Sequence, residues 1–572
     1  MAETLISPGV LTRENDQSQI TSQPVQAGAA IVGPTVKGQV NIPTIVTSYS
    51  EYLANFGSTF ESGSDTYSFL TSISAYNYFQ NGGESLLVTR VQSGTFTSAT
   101  SSFVAGTIAE QANNIFTLET IGEGINMNST STETSTGALP SGSSDNIRWE
   151  IVSPNKAKGV FSVIIRRGDD VTKSKSVLES FTNVSLDPKQ SNYIARVIGD
   201  QKQVMRGAGV DPYLQTSGSF RNASRYVRVK SVDVKTPDYF NNSGVAKDDY
   251  TGSIPVAQSG TLGDASGNIV GAGANYYENI STNTQGLAAT DYTDALGLLA
   301  NADEFQYNVI STPGLIQSVA AHSTTLNTLI SNVENRGDAI IVMDLSTYGS
   351  TVASTVQTAD NLDSSYAAAY WPWVQITDPD AGKLVWVPAS TMIPGVYASS
   401  DATSEAWFAP AGINRGGLGT VNQAERKLTA TNRDNLYVGK VNPIATFPGR
   451  GVVVFGQKTL QTQASALDRI NVRRLLIELK SYISQVSDNL VFEQNSAATR
   501  NTFLGQVNPY LESVQQRQGL YAFKVVMDES NNTADVIDRN QLVGAIYIQP
   551  TKTAEFIYLD FNILPTGATF PA

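Results

Sequence analysis

The sequence predicts a mixed α/β protein of several domains, in which a sheet-and-helix core carries a mostly β insertion. In residues 291-550, apolar strand patterns alternate with amphipathic helix patterns, as in a sheet covered by helices. In residues 96-290, alternating strands lie between loops rich in Ser, Thr, Gly and Asn. The 572 residues correspond to about three to five domains of the usual ~100–200 residues each.

The chain begins with a segment that favours an extended conformation. Pro8 and Gly9 oppose a helix, and the LTRENDQSQIT segment that follows is polar and offers little to bury. Residues 1-20 are therefore predicted to form an N-terminal arm. The same segment has no basic stretch followed by an apolar stretch, so no secretion signal is expected.

Residues 21-95 predict a small α/β domain with two helices between short strands. The first helix is expected to be capped by Ser48 or Ser50 and to end at Gly57. The second helix is expected to be amphipathic and to end at the Gly-Gly pair before the buried strand SLLVTRV. Its predicted apolar face consists of four residues: Phe69, Ile73, Tyr76 and Phe79.

The core begins with a strand–helix–strand order, which favours a parallel sheet with a right-handed crossover. EFQYNVIST predicts a strand that ends in a turn at Pro313-Gly314, and residues 315–337 predict the helix. DAIIVMDL predicts the next buried strand. A β-hairpin follows, in which Val374 and Ile376 are expected to face Leu384 and Trp386.

Two long helices are predicted towards the C-terminus, at 467–486 and at 496–518. Arg473 and Arg474 lie off the apolar stripe of the first helix, which predicts that both are exposed. Pro509 is expected to kink or restart the second helix.

Three strand patterns, LYAFKVVMD, QLVGAIYIQP and AEFIYLDFNIL, come last in the chain. The third alternates in hydrophobicity and ends in a segment that cannot extend a sheet. Residues 551-572 are therefore predicted to form a C-terminal arm strand, with one apolar face made of Ile557, Leu559, Phe561 and Ile563.

Composition argues against several classes of partner. Charged residues make up only 16% of the chain, against about 25% in an average globular protein, which suits surfaces that meet other proteins. The net charge is −13 and no basic run is present, so no nucleic acid partner is expected. No apolar run reaches the ~18 residues of a membrane span, and there is no cysteine for a disulfide or a thiolate metal site.

The sequence offers little for catalysis. His322 is the single histidine, it lies in a predicted helix, and no G-x-S-x-G motif accompanies it. Residues 451–459 partly match a phosphate-binding loop, but the Lys-Thr pair is one residue out of register with the motif. The interior of the segment is β-branched, which is typical of a strand. The Gly-rich segment at 415–419 is interpreted as a surface loop, Asp378–Asp380 as a hairpin turn, and the tryptophans as packing residues. No catalytic residue, cofactor or metal site is predicted.

The C-terminal half resembles the tail sheath proteins of contractile phages, pyocins and related injection machines. The resemblance is carried by an ordered series of segments: SYAA at 365–368, YWPWV at 370–374, VWVP at 385–388, IPGVY at 393–397, WFAPAG at 407–412, NPIA at 442–445, FPGRGVVVFG at 447–456, INVRRL at 470–475 and PTKTAEFI at 550–557. Near the N-terminus, SPGV at 7–10 is similar to the arm of the same family. The similarity covers most of the chain and is weakest in about 96–145 and 235–295.

The resemblance implies a structural subunit that polymerises as stacked hexameric rings around a tail tube and contracts by rigid-body rearrangement. Its arms would add strands to a sheet in neighbouring subunits, through Pro8, Gly9, Val10, Ile557, Leu559, Phe561 and Ile563. Weak contacts to the tube would come from C-terminal helices, with Arg473, Arg474, Lys480, Arg500 and Arg517 as candidates. Implied partners are copies of itself, the tail tube protein, and baseplate and tail terminator proteins. The implied location is the virion, after assembly in the host cytoplasm.

Three alternatives remain at this stage. The same fold could serve a non-phage contractile machine, such as a pyocin or a secretion-like system. The family's α/β region has been likened to subtilisin, with Asp344 at an equivalent strand end; a hydrolase of that type would require His322, and no matching serine signature is present. An adhesin would need an export signal, which the sequence does not show.

Overall fold

The computed structural model describes residues 25–104, 114–129, 133–209, 211–269 and 274–557. The predicted N-terminal arm, residues 1-20, lies outside the described residues, as do 558–572. None of the helices in the described ranges is long and apolar enough to cross a membrane.

The N-terminal segment supplies five strands and two helices: β1 (Val25–Gly33), β2 (Thr44–Val46), α1 (Tyr49–Phe56), β3 (Thr59–Ser62), β4 (Asp65–Ser68), α2 (Leu70–Gln80) and β5 (Leu86–Arg90). Ser48 caps α1, since its Oγ accepts a hydrogen bond from the Glu51 N–H at 3.2 Å, and Gly57 ends α1 with a positive φ, as predicted. Helix α2 is buried over most of its circumference, Thr71, Ser72 and Tyr78 included. The predicted single apolar face of α2 is therefore wrong, because the sheet and a later helix enclose it on both sides.

The predicted β insertion is present as a layered domain with its own core. Its elements are β6 (Ser98–Val104), β7 (Asn114–Glu123), β8 (Ile147–Asn155), β9 (Val160–Arg167), β10 (Val177–Ser185), α3 (Ile194–Ile198), β11 (Lys202–Arg206), β12 (Tyr213–Ser217), β13 (Val227–Val232), α4 (Asp248–Thr251) and β14 (Gln258–Thr261). The strands form sheets in the orders β10-β9-β8-β14 and β13-β7-β6, with β11 and β12 as a separate pair. Phe103, Phe116, Trp149 and Phe161 fill the space between the two larger sheets.

The core follows with α5 (Thr293–Leu298), β15 (Phe305–Ile316), α6 (Ala320–Arg336), β16 (Ile340–Asp344), α7 (Val352–Asp360), β17 (Ala367–Trp371), β18 (Val374–Thr377), β19 (Leu384–Val387), α8 (Ile393–Thr403), β20 (Val421–Ala424), α9 (Ala430–Val438), β21 (Asn442–Phe447) and β22 (Gly451–Val454). One eight-stranded sheet runs in the order β2-β5-β1-β15-β16-β17-β21-β22 and is parallel except at its two edge strands. Because β1 pairs with β15, the predicted domains 21-95 and 291-550 share a single sheet. We call it the central sheet.

Two details of the core correct the sequence analysis. Strand β15 continues through Pro313 and Gly314 to Ile316, which pairs with Asp344 after a register shift, so Leu315 lies in a strand and not in the helix. The hairpin β18–β19 is confirmed, but Val374 and Ile376 pair with Val387 and Val385. The predicted partners are one residue out of register, and Leu384 is accordingly exposed.

The last part of the chain forms a smaller body, here called the C-terminal body, made of α10 (Ile470–Asp488), α11 (Ala497–Gln516), β23 (Leu520–Val526), α12 (Ala534–Asp538) and β24 (Ala545–Pro550). Helix α11 begins after Ser496, whose Oγ accepts a hydrogen bond from Thr499, and it runs through Pro509 without the predicted restart. The core of the C-terminal body contains Leu475, Leu479, Phe503, Val507, Leu511 and Val514. Of the predicted third strand, residues 554–557 have no regular secondary structure and the remainder lies outside the described residues.

Candidate assembly surfaces

A two-stranded antiparallel sheet, β23–β24, forms one side of the C-terminal body. Its inner face carries Phe523, Val525, Ile546 and Ile548, which pack against the core of α10 and α11. Its outer face exposes Tyr521 and Tyr547, which are 62% and 63% accessible. Within the part of the chain that the structure describes, neither strand pairs with a third strand. Each strand therefore has one edge that no described strand occupies, although the Gln515 side chain donates to the Tyr521 carbonyl of β23 at 2.8 Å.

The segment after β24 crosses back from the C-terminal body to the region of the central sheet. Thr551 donates from its N–H to the Gly519 carbonyl at 3.1 Å and from Oγ1 to the Gln518 carbonyl at 2.7 Å. Two residues later, Thr553 Oγ1 accepts a hydrogen bond from Nε2 of Gln457 at 2.6 Å. We call residues 551–555 the strap.

The strap ends at Glu555, whose carboxylate has three partners from distant parts of the chain. Oε1 accepts hydrogen bonds at 2.9 Å from Arg469 Nε and from Gln457 Nε2, and Oε2 accepts one from the Tyr437 hydroxyl. Burial raises the pKa of Glu555, but the hydrogen bonds from these three residues outweigh it, so the pKa lies below its ordinary value. The carboxylate is therefore held ionised, in the form that strengthens its bond to Arg469.

A groove of about 840 Å³ lies along the strap. Its walls include the aromatic rings of Phe408, Tyr437 and Phe455 and the cationic side chains of Arg415 and Arg433. Residues 551–556 form part of the wall, so the position of the strap sets the shape of this groove.

The structure places only one of the predicted arm residues. Ile557 is 76% exposed and belongs to no strand. The other six, Pro8, Gly9, Val10, Leu559, Phe561 and Ile563, lie outside the described residues. Their predicted contacts with neighbouring subunits stay predictions.

Three of the five predicted tube-contact residues are buried within this chain. Arg474 pairs with Asp401 through two hydrogen bonds of 2.5 and 2.8 Å and lies over the Tyr397 ring. Arg473 donates to Ser365 and stacks on Tyr366, with its guanidinium carbon 4.0 Å from the ring centroid. The sequence-based placement of both arginines on the exposed face of α10 is therefore wrong. Arg474 gains a carboxylate 73 residues earlier in sequence, whereas Arg473 gains a neutral hydroxyl 108 residues earlier.

The remaining candidates differ in exposure. Arg500 is 7% exposed and donates to Asn495 at 3.3 Å. Lys480 is exposed on α10, with Nζ 3.3 Å from the Tyr366 hydroxyl. Arg517 follows α11, lies over Trp407 and pairs with Glu405 at 3.0 Å. Lys480 and Arg517 are thus the two candidates with a charged group at the surface.

The two side chains that a hydrolase would use are each hydrogen-bonded to other groups in the described residues. His322 is fully buried, its Nδ1 accepts a hydrogen bond from the Ile316 N–H at 3.1 Å, and its Nε2 lies 3.1 Å from the Thr282 carbonyl. Burial lowers its pKa. The carboxylate of Asp344, at the end of β16, accepts hydrogen bonds from the N–H and hydroxyl of Ser390, at 3.0 and 2.5 Å. Burial raises the pKa of Asp344 to about 7.

The weak motifs have structural explanations in the described residues. Strand β22 begins at Gly451 and pairs along its length with β21, and the loop at 415–419 bonds to its other edge. The carboxylate of Asp378 accepts hydrogen bonds from the N–H groups of Asp380 and Ala381, which closes the hairpin turn. In the described ranges, no group of three or more carboxylate, His or Cys side chains could hold a metal ion.

At the level of the fold, the architecture is that of sheath proteins from contractile tails. A sheath tail protein from Listeria innocua has a TM-score of 0.52 at 10% identity, with 92% of this chain and 95% of that chain covered. The contracted helical sheath of the anti-feeding prophage has a TM-score of 0.50 at 14% identity, with 98% and 99% covered.

Sequence comparisons identify the family. Residues 269–460 match the profile of the phage tail sheath protein central domain, and residues 462–564 match the phage tail sheath C-terminal domain. The tail sheath protein of Vibrio phage KVP40 is 33% identical over 356 residues, which cover 58% of this chain and 51% of that protein. The tail sheath protein of Enterobacteria phage T4 is 39% identical over 210 residues, which cover 37% of this chain and 32% of that protein. The chain belongs to the tail sheath family of contractile phages, as its sequence predicted.

Proposed function

We propose that this chain is the structural subunit of a contractile phage tail sheath. It polymerises as stacked hexameric rings around the tail tube, and contraction drives the tube through the host envelope. The observation that supports this most directly is the sheet β23–β24, in which neither strand pairs with a third strand in the described residues, together with the exposed Ile557 at the end of those residues. A donated strand would gain backbone hydrogen bonds along either edge.

Strand donation explains how such a subunit can both assemble and move. When each chain passes a strand to the next copy, the contact is heterologous and does not close on itself, so it generates a helical array. The donated strands keep neighbours connected while the folded bodies rotate as rigid units. No step requires a substrate or a cofactor, which agrees with a site geometry in which His322 and Asp344 are bonded to different groups.

The proposed partners and location follow from this role. The sheath subunit would bind copies of itself, the tail tube protein, and baseplate and terminator proteins at the tail ends. It would assemble in the host cytoplasm and remain in the virion. The fold-level match to the anti-feeding prophage sheath supports a second candidate, the sheath of a non-phage contractile machine, with the same mechanics.

Electron microscopy of the purified full-length chain tests the proposal. Tubes or stacked rings of sixfold symmetry are expected, and sedimentation should show that most of the protein is polymeric at concentrations above a threshold. A chain that stays monomeric at all salt and protein concentrations, and that turns over a small molecule at a saturable rate, would contradict a structural role.

The proposed contact with the tube can be tested separately at Lys480. Lys480→Glu should reduce co-sedimentation with preformed tail tubes and leave self-assembly unchanged, since the side chain is exposed and bears little on the fold. Each exposed charge contributes about 0–1 kcal/mol, so the effect should be small per subunit and salt-dependent. Lys189→Glu, at an exposed site in the inserted domain, is the matched control. Equal tube binding by wild type and the Lys480 variant would remove this residue from the contact.

A further inference from the structure

The strap has one inward face, and that face is polar. Residues 551, 553 and 555 are half-buried, whereas 552 and 554 are exposed. This alternation is expected for an extended segment, in which every second side chain points the same way. The inward side chains are Thr551, Thr553 and Glu555, so the strap is held by hydrogen bonds and not by burial of apolar surface.

The strap adds a further link between two bodies that also meet through α10 and through Trp407 and Glu405, both of which contact Arg517. Thr551 bonds to the carbonyls just before β23, in the C-terminal body. Glu555 bonds to Tyr437 of α9 and to Gln457, which follows β22 of the central sheet. Its third partner, Arg469, is the N-cap residue of α10. Glu555 therefore ties the strap to both bodies at the point where they meet.

Glu555 is also the last inward residue. The alternation stops after it, because Phe556 and Ile557 are both exposed, at 68% and 76%. The described part of the chain thus ends in two exposed apolar side chains directly after Glu555.

We propose that Glu555, held by Tyr437, Gln457 and Arg469, is the anchor of the C-terminal arm. The anchor fixes the point at which the arm leaves the subunit. A pull on the arm from a neighbouring copy then reaches α9 and the central sheet directly, and does not peel the strap away from β23. Transmission of force from a neighbouring copy rests on the proposed sheath function, whereas the anchor itself is a property of the single chain. Arg469 is a positioning residue, since it orients Glu555 relative to α10.

Hydrogen–deuterium exchange of the full-length chain, kept below its assembly concentration, measures the anchor without assembly. Glu555→Gln removes the charge, and Tyr437→Phe removes one donor. Each should speed exchange in 551–557, where the Thr551 N–H is hydrogen-bonded to the Gly519 carbonyl, by about tenfold or more, the range for loss of a charge-assisted hydrogen bond. In the double variant, the increase in exchange rate should be smaller than the product of the two single increases, because both substitutions act on the same contact. Asp238→Asn, which removes an exposed ion pair with Lys189 in the inserted domain, should leave exchange in 551–557 unchanged.

The outcomes separate the anchor from the load that it carries. Unchanged exchange of 551–557 in both Glu555→Gln and Tyr437→Phe overturns the anchor, whatever the assembly result. Faster exchange together with fewer or shorter assemblies than wild type supports the whole inference. Faster exchange with wild-type assembly and contraction overturns the role in carrying load. If the wild-type chain itself does not assemble, the proposed function fails while the exchange result still decides the anchor.

Discussion

A chain that lacks residues 1–20, or one that lacks residues 558–572, should fold as a stable monomer and fail to assemble. The four hydrophobic cores of the described structure contain buried residues from Ala29 to Met527, with side chains as far as Ile548 packed against them, so neither deletion removes a residue of these cores. Each deletion removes a strand proposed to be donated to a neighbour. A strand of several residues contributes several intermolecular hydrogen bonds of about 0.5–1.5 kcal/mol each, and this loss recurs at every subunit of the array.

The second deletion begins after Ile557 so that the Glu555 anchor is kept. Thermal unfolding should give midpoints close to wild type for both variants, while sedimentation and electron microscopy should show no tubes or rings. A chain in which residues 1–20 are replaced by a Gly/Ser segment of equal length separates the effect of sequence from that of length. Normal assembly by both truncated chains would count against strand donation.

The sequence predicted local features well where one residue type has one structural use. Ser48 and Gly57 set the ends of α1 because a hydroxyl caps an N-terminus and a glycine accepts a positive φ. The hairpin turn at Asp378 was likewise predicted. The family followed from the order of short apolar and Gly/Pro segments along the chain, and the profile matches confirmed it.

Pairings across long sequence separations could not be predicted in this way. The pairing of β1 with β15 joins residues 280 apart, as in Val25 with Phe305, and nothing local to either strand encodes it. Arg474 was placed on the surface because arginine interrupts an apolar stripe, yet Asp401 and Tyr397 come from another helix and make its burial favourable. Nothing local in the sequence marks Glu555 as a contact residue, because its partners lie 86 to 118 residues earlier.

Replacing Asp344 with Asn should raise the free energy of unfolding at alkaline pH and change it little near pH 4. The Asp344 carboxylate is buried, and among the described residues its partners are the backbone N–H and the hydroxyl of Ser390. Burial disfavours the charged form and raises the pKa from 3.8 to about 7, although the two hydrogen bonds lower it in part. A shift of one pKa unit corresponds to about 1.4 kcal/mol. The rise in the pKa of Asp344 therefore costs the folded state roughly 4 kcal/mol at most once the carboxyl is ionised.

The direction of this pH dependence is set by whether the folded or the unfolded chain holds the Asp344 proton. Below pH 3.8 the carboxyl is protonated in both the folded and the unfolded chain, and it contributes no pH dependence. Between 3.8 and about 7 the folded chain keeps a proton that the unfolded chain has released, so folding weakens as the pH rises. Above about 7 the penalty is complete. Asparagine cannot ionise, and its amide can both accept from the Ser390 N–H and donate to the Ser390 hydroxyl.

Urea unfolding of wild type and Asp344→Asn at about pH 4.5 and pH 8, below the assembly concentration, measures this difference. The gap between the two chains should be small at the lower pH and should approach its full size at the higher pH. Asp249→Asn, at an exposed position in α4, controls for the loss of one carboxylate and should show no such trend. If Asp344→Asn were less stable than wild type at pH 8, the carboxylate would have to be stabilised in its charged form. That result would require a partner for Asp344 beyond Ser390, because the two hydrogen bonds from Ser390 do not offset its burial.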